Sequence, residues 1–112
     1  MLEDDENISF IQKEMIKQIG NFEVIIFNDI NCFKLECFLE KEGENLKCIL
    51  TDYNLPNISG LQVVKLAIKF GIKVIVISGD ASEIRKKEVL NAGADAYLTK
   101  PLMIATLERH IL

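Results

Sequence analysis

The sequence predicts an α/β protein in which helices cover both faces of a parallel sheet. Two observations lead to this prediction. Short apolar runs rich in β-branched residues alternate with segments in which apolar residues recur at helical spacing. The connections between these segments are short, and the chain shows no repeat, linker or low-complexity stretch. Such alternation is typical of a parallel sheet, and 112 residues suffice for one core, so we expect one domain over residues 1–112.

The first part of the chain predicts two helices and one strand. Asn7 can cap a first helix that ends at Gly20. The expected apolar face of this helix consists of Ile8, Ile11, Met15 and Ile19. A β-branched and aromatic run predicts a strand over residues 22–27. A second helix follows and ends near Gly43, with an apolar side that consists of Phe33, Cys37 and Phe38.

The strand that leads to Asp52 is the most informative element. Residues 48–51 form a short apolar run within the strand expected over residues 46–51, and Pro56 and Gly60 follow Asp52 at turn spacing. The run is too short for an independent helix and is flanked by residues that break helices, which predicts a buried strand. Asp52 then lies at the carboxyl end of the strand, which is where ligands and chemistry collect in an open α/β sheet.

The last part of the chain predicts two further strands. Residues 72–77 are almost unbroken β-branched residues, which indicates a strand covered on both faces. Residues 94–99 predict a shorter strand. The remaining elements are helices: one from Leu61 to Gly71, one from its cap Ser82 to Gly93, and one over residues 102–112.

The composition excludes several classes of protein. A formal net charge of −4 argues against a nucleic-acid-binding surface, and the short basic cluster at residues 85–87 is expected to face solvent. No apolar stretch approaches the ~20 residues of a membrane span, and the acidic start does not resemble a signal peptide. Three cysteines without metal-ligand spacing predict free thiols, namely Cys32, Cys37 and Cys48. We therefore expect a cytoplasmic protein that binds neither nucleic acid nor membrane.

Asp52 needs a partner, because an isolated charge at the rim of a dry core is costly. The acidic run at residues 3–6 is one group of residues that we expect to lie near Asp52. Clustered carboxylates repel one another unless a hard cation such as Mg²⁺ lies among them. One acid could then attack phosphorus and form an aspartyl phosphate. Ser78 and Lys100, each expected at the carboxyl end of a strand, suit the other phosphoryl oxygens.

Together these residues resemble the receiver domain of two-component response regulators, the family that includes the single-domain chemotaxis regulator. The matching features, in the order and at the spacings of that family, are the acidic run, Asp-x-x-Leu-Pro-x-x-x-Gly at 52–60, Ile-Ser-Gly at 77–79, Ala-Gly-Ala at 92–94 and Lys-Pro at 100–101. The resemblance covers essentially the whole chain. It implies a flavodoxin-like, doubly wound parallel sheet with the strand order 2-1-3-4-5.

The resemblance also implies a role for individual residues. Asp52 resembles the phospho-acceptor, and Lys100 would contact a phosphoryl oxygen. Glu3 and Asp4 resemble the acidic pair that holds Mg²⁺, with Asp5 as the alternative to Asp4. Asn54 would bind the metal through its backbone carbonyl, and Asn54 and Asp80 would tune hydrolysis of the phosphoryl group. Ser78 resembles the switch hydroxyl, and Tyr97 resembles the aromatic residue that rotates when this hydroxyl moves. Gly79 would leave space beside the acceptor, and Pro101 would follow a cis peptide bond.

Several of these residues also have a purely structural interpretation. The acidic run is equally explained as the first turn of a helix, where acids complement the helix dipole. Asp52 could cap the following turn, Ser78 could be an ordinary loop serine, and Tyr97 could be a core or partner-facing residue. Lys100 before a proline is harder to explain by structure alone.

One departure from the family concerns the first strand. The family begins with about five apolar residues before the acidic pair, whereas only Met1 and Leu2 precede it here. The strands on either side would then stand about 10 Å apart, twice the ladder spacing. We expect that two residues cannot fill this gap. The first strand is therefore truncated or missing, and an absent start of the chain, another segment or a neighbouring molecule would have to supply it.

The function implied by the resemblance is a phosphorylation-activated signalling switch. A sensor histidine kinase or a histidine phosphotransfer protein would donate the phosphoryl group. A downstream output protein or domain would bind the switched surface, for which the candidates are Ile84, Val89, Tyr97 and Leu107.

The only catalysis expected is phosphorylation and dephosphorylation of the chain itself, and the function of a small hydrolase is disfavoured. A dimer through the last two helices or by strand exchange is possible. The alternative is a degenerate receiver that docks proteins without phosphorylation.

Overall fold

The strands of the computed structural model, which describes residues 1–112, form one parallel sheet. The sheet has the order β1–β2–β3, with β1 at Ile49–Asp52, β2 at Val74–Ser78 and β3 at Ala96–Thr99. Every residue of β2 is buried, as expected for a central strand covered on both faces. The helices are α1 (Glu6–Ile19), α2 (Cys32–Glu42), α3 (Gly60–Lys69), α4 (Glu83–Asn91) and α5 (Ile104–Ile111), and a 3₁₀ turn lies at Gly43–Asn45.

Two apolar clusters cover the two faces of this sheet, and the alternation of side chains along β2 separates them. Val74 and Val76 face a cluster that contains buried residues of α2, α3 and α4. Ile75 and Ile77 face a second cluster with buried residues of α1 and α5. Successive residues of a strand point to opposite faces, so one β-branched run supplies the centre of both cores. The predicted α/β architecture is thereby confirmed.

The start of the chain enters the middle of the sheet with a single residue, Leu2. The Leu2 N–H donates to the Leu50 carbonyl at 2.8 Å, and the Asp52 N–H donates to the Leu2 carbonyl at 2.9 Å. On the other side, the Phe27 N–H donates to the Met1 carbonyl at 2.9 Å and the Glu3 N–H to the Phe27 carbonyl at 3.2 Å. The lateral order of the segments is therefore the expected 2-1-3-4-5, although the first strand is only a pair of bridges.

The expectation that two residues cannot fill the gap is wrong at the carboxyl end of the sheet, because Leu2 pairs there on both sides. It holds further down, where the Met1 amino group reaches only the Ile25 carbonyl and an apolar cavity separates the two segments. The predicted strand at 22–27 is accordingly wrong as a regular element, since only Phe27 forms a bridge. A ladder requires a neighbour, and this segment has one only at its last residue.

The helices form where they were expected, but three details differ. Asp5, rather than Asn7, caps α1, because its carboxylate accepts hydrogen bonds from the N–H groups of Asn7 and Ile8. The buried side of α1 consists of Ser9, Gln12 and Ile16, whereas the predicted core residue Ile11 is 58% exposed. In α2, Leu35 and Leu39 are buried and Phe33 is 74% exposed. Apolar residues at helical spacing predict that one side of a helix is buried. Which residues form that side depends on how the helix packs on the sheet.

The turn after Asp52 closes tightly at Gly60. A Cβ atom at this position would lie 2.7 Å from the Cα atom of Tyr53, so only glycine permits this approach. The Gly60 N–H donates to the Tyr53 carbonyl at 2.7 Å, and Ser59 and Gln62 form a capping box that starts α3. The Pro-x-x-x-Gly spacing thus returns the chain to a helix directly behind Asp52.

None of the five helices combines the length and the apolar character that crossing a membrane requires.

We predict that Leu2→Ala lowers the free energy of unfolding by about 2–5 kcal/mol, the usual cost of removing a buried leucine side chain. Leu2 is buried and belongs to the larger core cluster. Urea unfolding followed by circular dichroism measures the change. Ile84→Ala on α4, where the side chain is 81% exposed, is the control and should change the value by less than about 0.5 kcal/mol. Equal losses in both variants would contradict the central position of Leu2.

Candidate functional site

Polar side chains from four segments meet at the carboxyl edge of the sheet. Glu3 and Asp4 follow the Leu2 bridge, and Asp52 is the last residue of β1. Lys100 follows β3, and its ammonium contacts the carboxylates of Asp52 and Glu3. Ser78 ends β2 at the same edge. Because parallel strands end on the same side, the topology brings residues that are up to 97 positions apart in the chain to one place.

Three carboxylates form the acidic part of this site. Each of Glu3, Asp4 and Asp52 contributes an oxygen, and these oxygens all lie within 4.8 Å of one another. Glu3 is 3% exposed and Asp52 is 7% exposed, whereas Asp4 is open to solvent. A buried pair of acids with a third acid at the surface is costly without a cation, because like charges repel strongly where water is excluded.

Burial favours the protonated form of Glu3. It raises the pKa of the Glu3 carboxyl to about 7, opposed by the hydrogen bond that the Asp5 N–H donates to Oε1 at 3.2 Å. The negative charge of Asp52 adds to the increase, and the positive charge of Lys100 reduces it. Glu3 therefore takes up a proton far more readily than an exposed glutamate does.

Lys100 supplies the compensating positive charge. Its Nζ lies 2.9 Å from Oδ1 and 3.1 Å from Oδ2 of Asp52, and 3.5 Å from Oε2 of Glu3. Burial alone would lower the pKa of Lys100, but the hydrogen bond to Asp52 and the charges of Asp52 and Glu3 outweigh it and raise the pKa. The Lys100 N–H donates to the Ser78 carbonyl at 2.9 Å, which ties this lysine to the end of β2, and the following Lys100–Pro101 peptide bond is cis.

Ser78 and Tyr97 are joined through one residue, Asp80. The Ser78 Oγ accepts a hydrogen bond from the Asp80 N–H at 3.1 Å, and the Tyr97 hydroxyl donates to the Asp80 carbonyl. Both side chains are buried. A Cβ at Gly79 would meet no atom within 4 Å, so the loop between them leaves open space. Asp80 therefore links the two side chains, because its N–H bonds to Ser78 and its carbonyl bonds to Tyr97.

The residues present suit a hard divalent cation. Mg²⁺ prefers oxygen ligands, often one or two carboxylates together with water, and the Glu3, Asp4 and Asp52 oxygens provide such a set. Asp5 does not join it, because its carboxylate caps α1. Asn54 lies two residues after Asp52 in the turn and pairs with Ser59 in an isolated antiparallel bridge.

Sequence reasoning missed a group of side chains beside this site. The Arg85 guanidinium lies 4.0 Å from the centre of the Tyr53 ring and 3.5 Å from the Asp80 carboxylate, and the Tyr53 hydroxyl donates to Glu88 at 3.3 Å. Arg85 is thus half-buried rather than part of a solvent-facing cluster. Its spacing of three residues from Glu88 places both on one side of α4, but the sequence contains no signal that this side faces Tyr53.

The expected output surface needs a correction. Val89, Leu107 and Tyr97 are buried, because Val89 and Tyr97 pack in one apolar cluster and Leu107 packs in the other. Only Ile84 of the four candidates is exposed, at 81%. The short helix α4 has a single buried residue, Val89, so nearly all of its surface is available to solvent.

The family of the chain follows from this fold and site. The family model of the response regulator receiver domain matches residues 1–112, the whole chain. The chain belongs to the receiver domain family of two-component response regulators.

Individual relatives agree with this assignment. The sensory transduction protein RegX3 of Mycolicibacterium smegmatis is 32% identical over 102 residues, which cover 90% of this chain and 42% of RegX3. The chain spans only 16% and 8% of two longer relatives from Arabidopsis thaliana and Saccharomyces cerevisiae. These relatives therefore contain much more than a receiver domain.

Two solved structures share the fold at low sequence identity. CheY in the CheX–CheY complex of Borrelia burgdorferi with BeF3 and Mg²⁺ has a TM-score of 0.85 at 18% identity, covering 98% of this chain and 82% of that one. The receiver domain of the Saccharomyces cerevisiae response regulator Ssk1, crystallised with the histidine phosphotransfer signalling protein Ypd1, is the second such neighbour. Its match has a TM-score of 0.81 at 20% identity and covers 98% and 82%.

We predict that Glu3 titrates near pH 7 in metal-free buffer, rather than near its ordinary value of 4.5. Carbon-detected NMR of the carboxyl group measures this pKa. Because the folded-state pKa is raised, the contribution of Glu3 to the free energy of unfolding is full below about pH 4.5 and is lost as the pH rises through about 7. Glu3→Gln should remove this part of the pH dependence.

Two lysine variants provide the comparison for this titration. Lys100→Gln should raise the pKa of Glu3 further, because it removes a positive charge 3.5 Å away. Lys69→Gln should leave it unchanged, since the Lys69 ammonium pairs with Glu36 on the surface. A wild-type Glu3 that titrates near 4.5 would show that the acidic cluster is open to water.

Proposed function

We propose that this receiver domain accepts a phosphoryl group on Asp52 in the presence of Mg²⁺ and switches a partner-binding surface in response. The observation that supports this most is the position of Asp52. Its buried carboxylate lies 2.9 Å from the Lys100 ammonium and within 4.8 Å of two other acids. A purely structural acid would need only the lysine, so the two further carboxylates favour a metal-assisted acceptor.

The proposed reaction is a displacement at phosphorus. An oxygen of the Asp52 carboxylate forms a bond to phosphorus while the bond between phosphorus and a histidine nitrogen of the donor breaks. The electron pair of that bond remains on the imidazole, which takes up a proton. Mg²⁺ held by Glu3, Asp4 and Asp52, and by the Asn54 backbone carbonyl, would neutralise the oxygens of the transferred group.

Lys100 has a different task before and after transfer. Its ammonium now contacts both oxygens of Asp52, at 2.9 and 3.1 Å. When one of these oxygens becomes the bridging oxygen of an acyl phosphate, the carboxylate loses its negative charge and the phosphoryl oxygens carry it instead. Lys100 can then follow the charge over a short distance and bind a phosphoryl oxygen. Asn54 and Asp80 flank this space, where we propose that they set the rate of hydrolysis.

The switch would run through the backbone of Asp80, whose N–H bonds to Ser78 and whose carbonyl bonds to Tyr97. If the Ser78 hydroxyl turns to donate a hydrogen bond to the phosphoryl group, it releases the Asp80 N–H that it now accepts from. The Asp80 carbonyl holds the Tyr97 hydroxyl, so the loop, the start of α4 and the ring of Tyr97 are mechanically linked. The exposed surface of α4 and α5, which includes Ile84, is the proposed site for an output protein or for a second receiver.

A sensor histidine kinase or a histidine phosphotransfer protein is the proposed donor. The complex of Ypd1 with the receiver domain of Ssk1 supports this class of partner for the fold. The competing function, protein docking without phosphorylation, rested on the shortened first strand. Leu2 nevertheless holds Glu3 and Asp4 beside Asp52 through hydrogen bonds on both sides, which weakens that argument.

We predict that acetyl phosphate with Mg²⁺ phosphorylates the wild-type protein and that Asp52→Asn abolishes the reaction, because an amide nitrogen cannot replace the nucleophilic oxygen. Phos-tag electrophoresis and intact mass measure the product. Asp29→Asn, which alters an exposed acid bound to Asn57, is the matched control and should react like the wild type. Labelling of Asp52→Asn to the wild-type level would exclude Asp52 as the acceptor.

Mg²⁺ binding separates the two neighbouring aspartates. We predict that Asp4→Asn weakens Mg²⁺ binding roughly tenfold or more, because it removes a charged ligand from the cluster. Asp5→Asn should keep both the affinity and the stability, since Asp5 caps α1 and asparagine caps helices equally well. Isothermal titration calorimetry gives the affinities. No binding at millimolar Mg²⁺ to the wild type would favour the phosphorylation-independent docking module.

A further inference from the structure

The amide side chain of Asn28 holds the turn that carries Asp4. Its Nδ2 donates to the Glu3 carbonyl at 2.7 Å and to the Ser9 Oγ at 3.2 Å. A backbone carbonyl can only accept a hydrogen bond, so the nitrogen of the amide, and not its oxygen, faces Glu3. Asn28 directly follows Phe27, whose carbonyl accepts from the Glu3 N–H at 3.2 Å. Two neighbouring residues of one segment therefore hold both the N–H and the carbonyl of Glu3.

The contact with Ser9 lies on the far side of the same turn. Ser9 belongs to α1 and is only 3% exposed. Its hydroxyl donates to the Glu6 carbonyl at 3.0 Å, so the oxygen is free to accept from Asn28. Asn28 thus contacts the chain on both sides of Asp4, at Glu3 before it and at Ser9 after it.

Asp4 depends on this turn because nothing else holds its side chain. The Glu3 carboxylate accepts from the Asp5 N–H and contacts Lys100, and the Asp52 carboxylate also contacts Lys100. The Asp4 carboxylate is exposed and takes part in no hydrogen bond or ion pair of the protein. Its distance from the other two acids is therefore set by the backbone that carries it.

The hydrogen bond from Asn28 acts on the peptide group that leads to Asp4. The Glu3 carbonyl and the Asp4 N–H belong to this one planar group, so a bond that holds the carbonyl also fixes the orientation of the group. We propose that Asn28 is a positioning residue that orients Asp4 for a divalent cation shared with Glu3 and Asp52. Asn28 acts through the backbone and supplies no ligand itself. The inference rests on the proposed function in one respect, namely that Asp4 is a ligand of Mg²⁺.

The test compares the Mg²⁺ affinities of folded variants by NMR titration, which also follows weak binding. Asn28→Ala removes the amide and should weaken Mg²⁺ binding about tenfold, because losing a group that orients a metal ligand typically has this effect or a larger one. Asn57→Ala is the matched control. It removes another asparagine amide nearby, one that is exposed and donates to Asp29, and it should leave the affinity unchanged. If Asn28→Ala does not fold, Asn28→Leu keeps the branched shape without the donor and should weaken binding equally.

A double-mutant cycle shows whether Asn28 acts through Asp4. In the Asp4→Asn background the charged ligand is already lost, so adding Asn28→Ala should weaken binding by less than about twofold. A merely structural contribution of Asn28 would instead weaken binding by the same factor in both backgrounds.

A second measurement needs no metal. The carbonyl carbon signal of Glu3 should move in Asn28→Ala, because its hydrogen bond is lost, and should stay in place in Asn57→Ala.

The possible failures of this proposal and of the proposed function are distinguishable. Equal Mg²⁺ affinities of the wild type and Asn28→Ala would overturn the role of Asn28 and leave the proposed function intact. Equal losses from Asn28→Ala with and without Asp4→Asn, or an unchanged Glu3 carbonyl signal, would do the same. Only a wild-type protein that binds no Mg²⁺ would overturn both.

Discussion

The backbone hydrogen bonds of Leu2 are the interaction on which both the sheet and the site depend. This residue pairs with Phe27 on one side and with Thr51 on the other, so it joins the segment at 22–27 to β1. The same bonds determine where the chain goes next, and they place Glu3 and Asp4 against Asp52. A single residue can do this because it pairs at the carboxyl end of the sheet, next to the acids. The rest of the space between the two neighbouring segments is not filled by a strand.

Electrostatics explains why the cluster is stable before any ligand binds. Two buried carboxylates would repel each other, but Lys100 contacts both, and Glu3 also accepts a backbone N–H. The pKa values of Glu3 and Lys100 are both raised. Both shifts reduce the net negative charge of the site, because Glu3 binds a proton more readily and Lys100 keeps its proton. A divalent cation bound by these acids would favour the loss of the proton from Glu3. Either a proton or a cation could therefore neutralise the negative charge of the acids.

The sequence predicted the elements of the fold closely because each carries a local signal. The β-branched run of β2, the Ser82 cap of α4 and the Pro-x-x-x-Gly spacing before α3 are short-range features, and all appear at the expected places. Side-chain orientation was predicted less well. Phe33 and Ile11 are exposed, and Val89 and Leu107 are buried, because the covered side of a helix is selected by the sheet on which it packs and a shift of one residue turns it by about 100°.

The sequence alone determined the order of strands and helices, the residue types at the carboxyl ends of the strands and the family that this order resembles. Only the tertiary structure decided that Leu2 suffices to bridge the sheet, that Asp5 caps α1 while Asp4 joins the acids, and that Arg85 stacks on Tyr53. The difference has one physical reason. Strand and helix formation follow from neighbours in the chain, whereas pairing, burial and charge balance depend on groups that come together only when the sheet has formed.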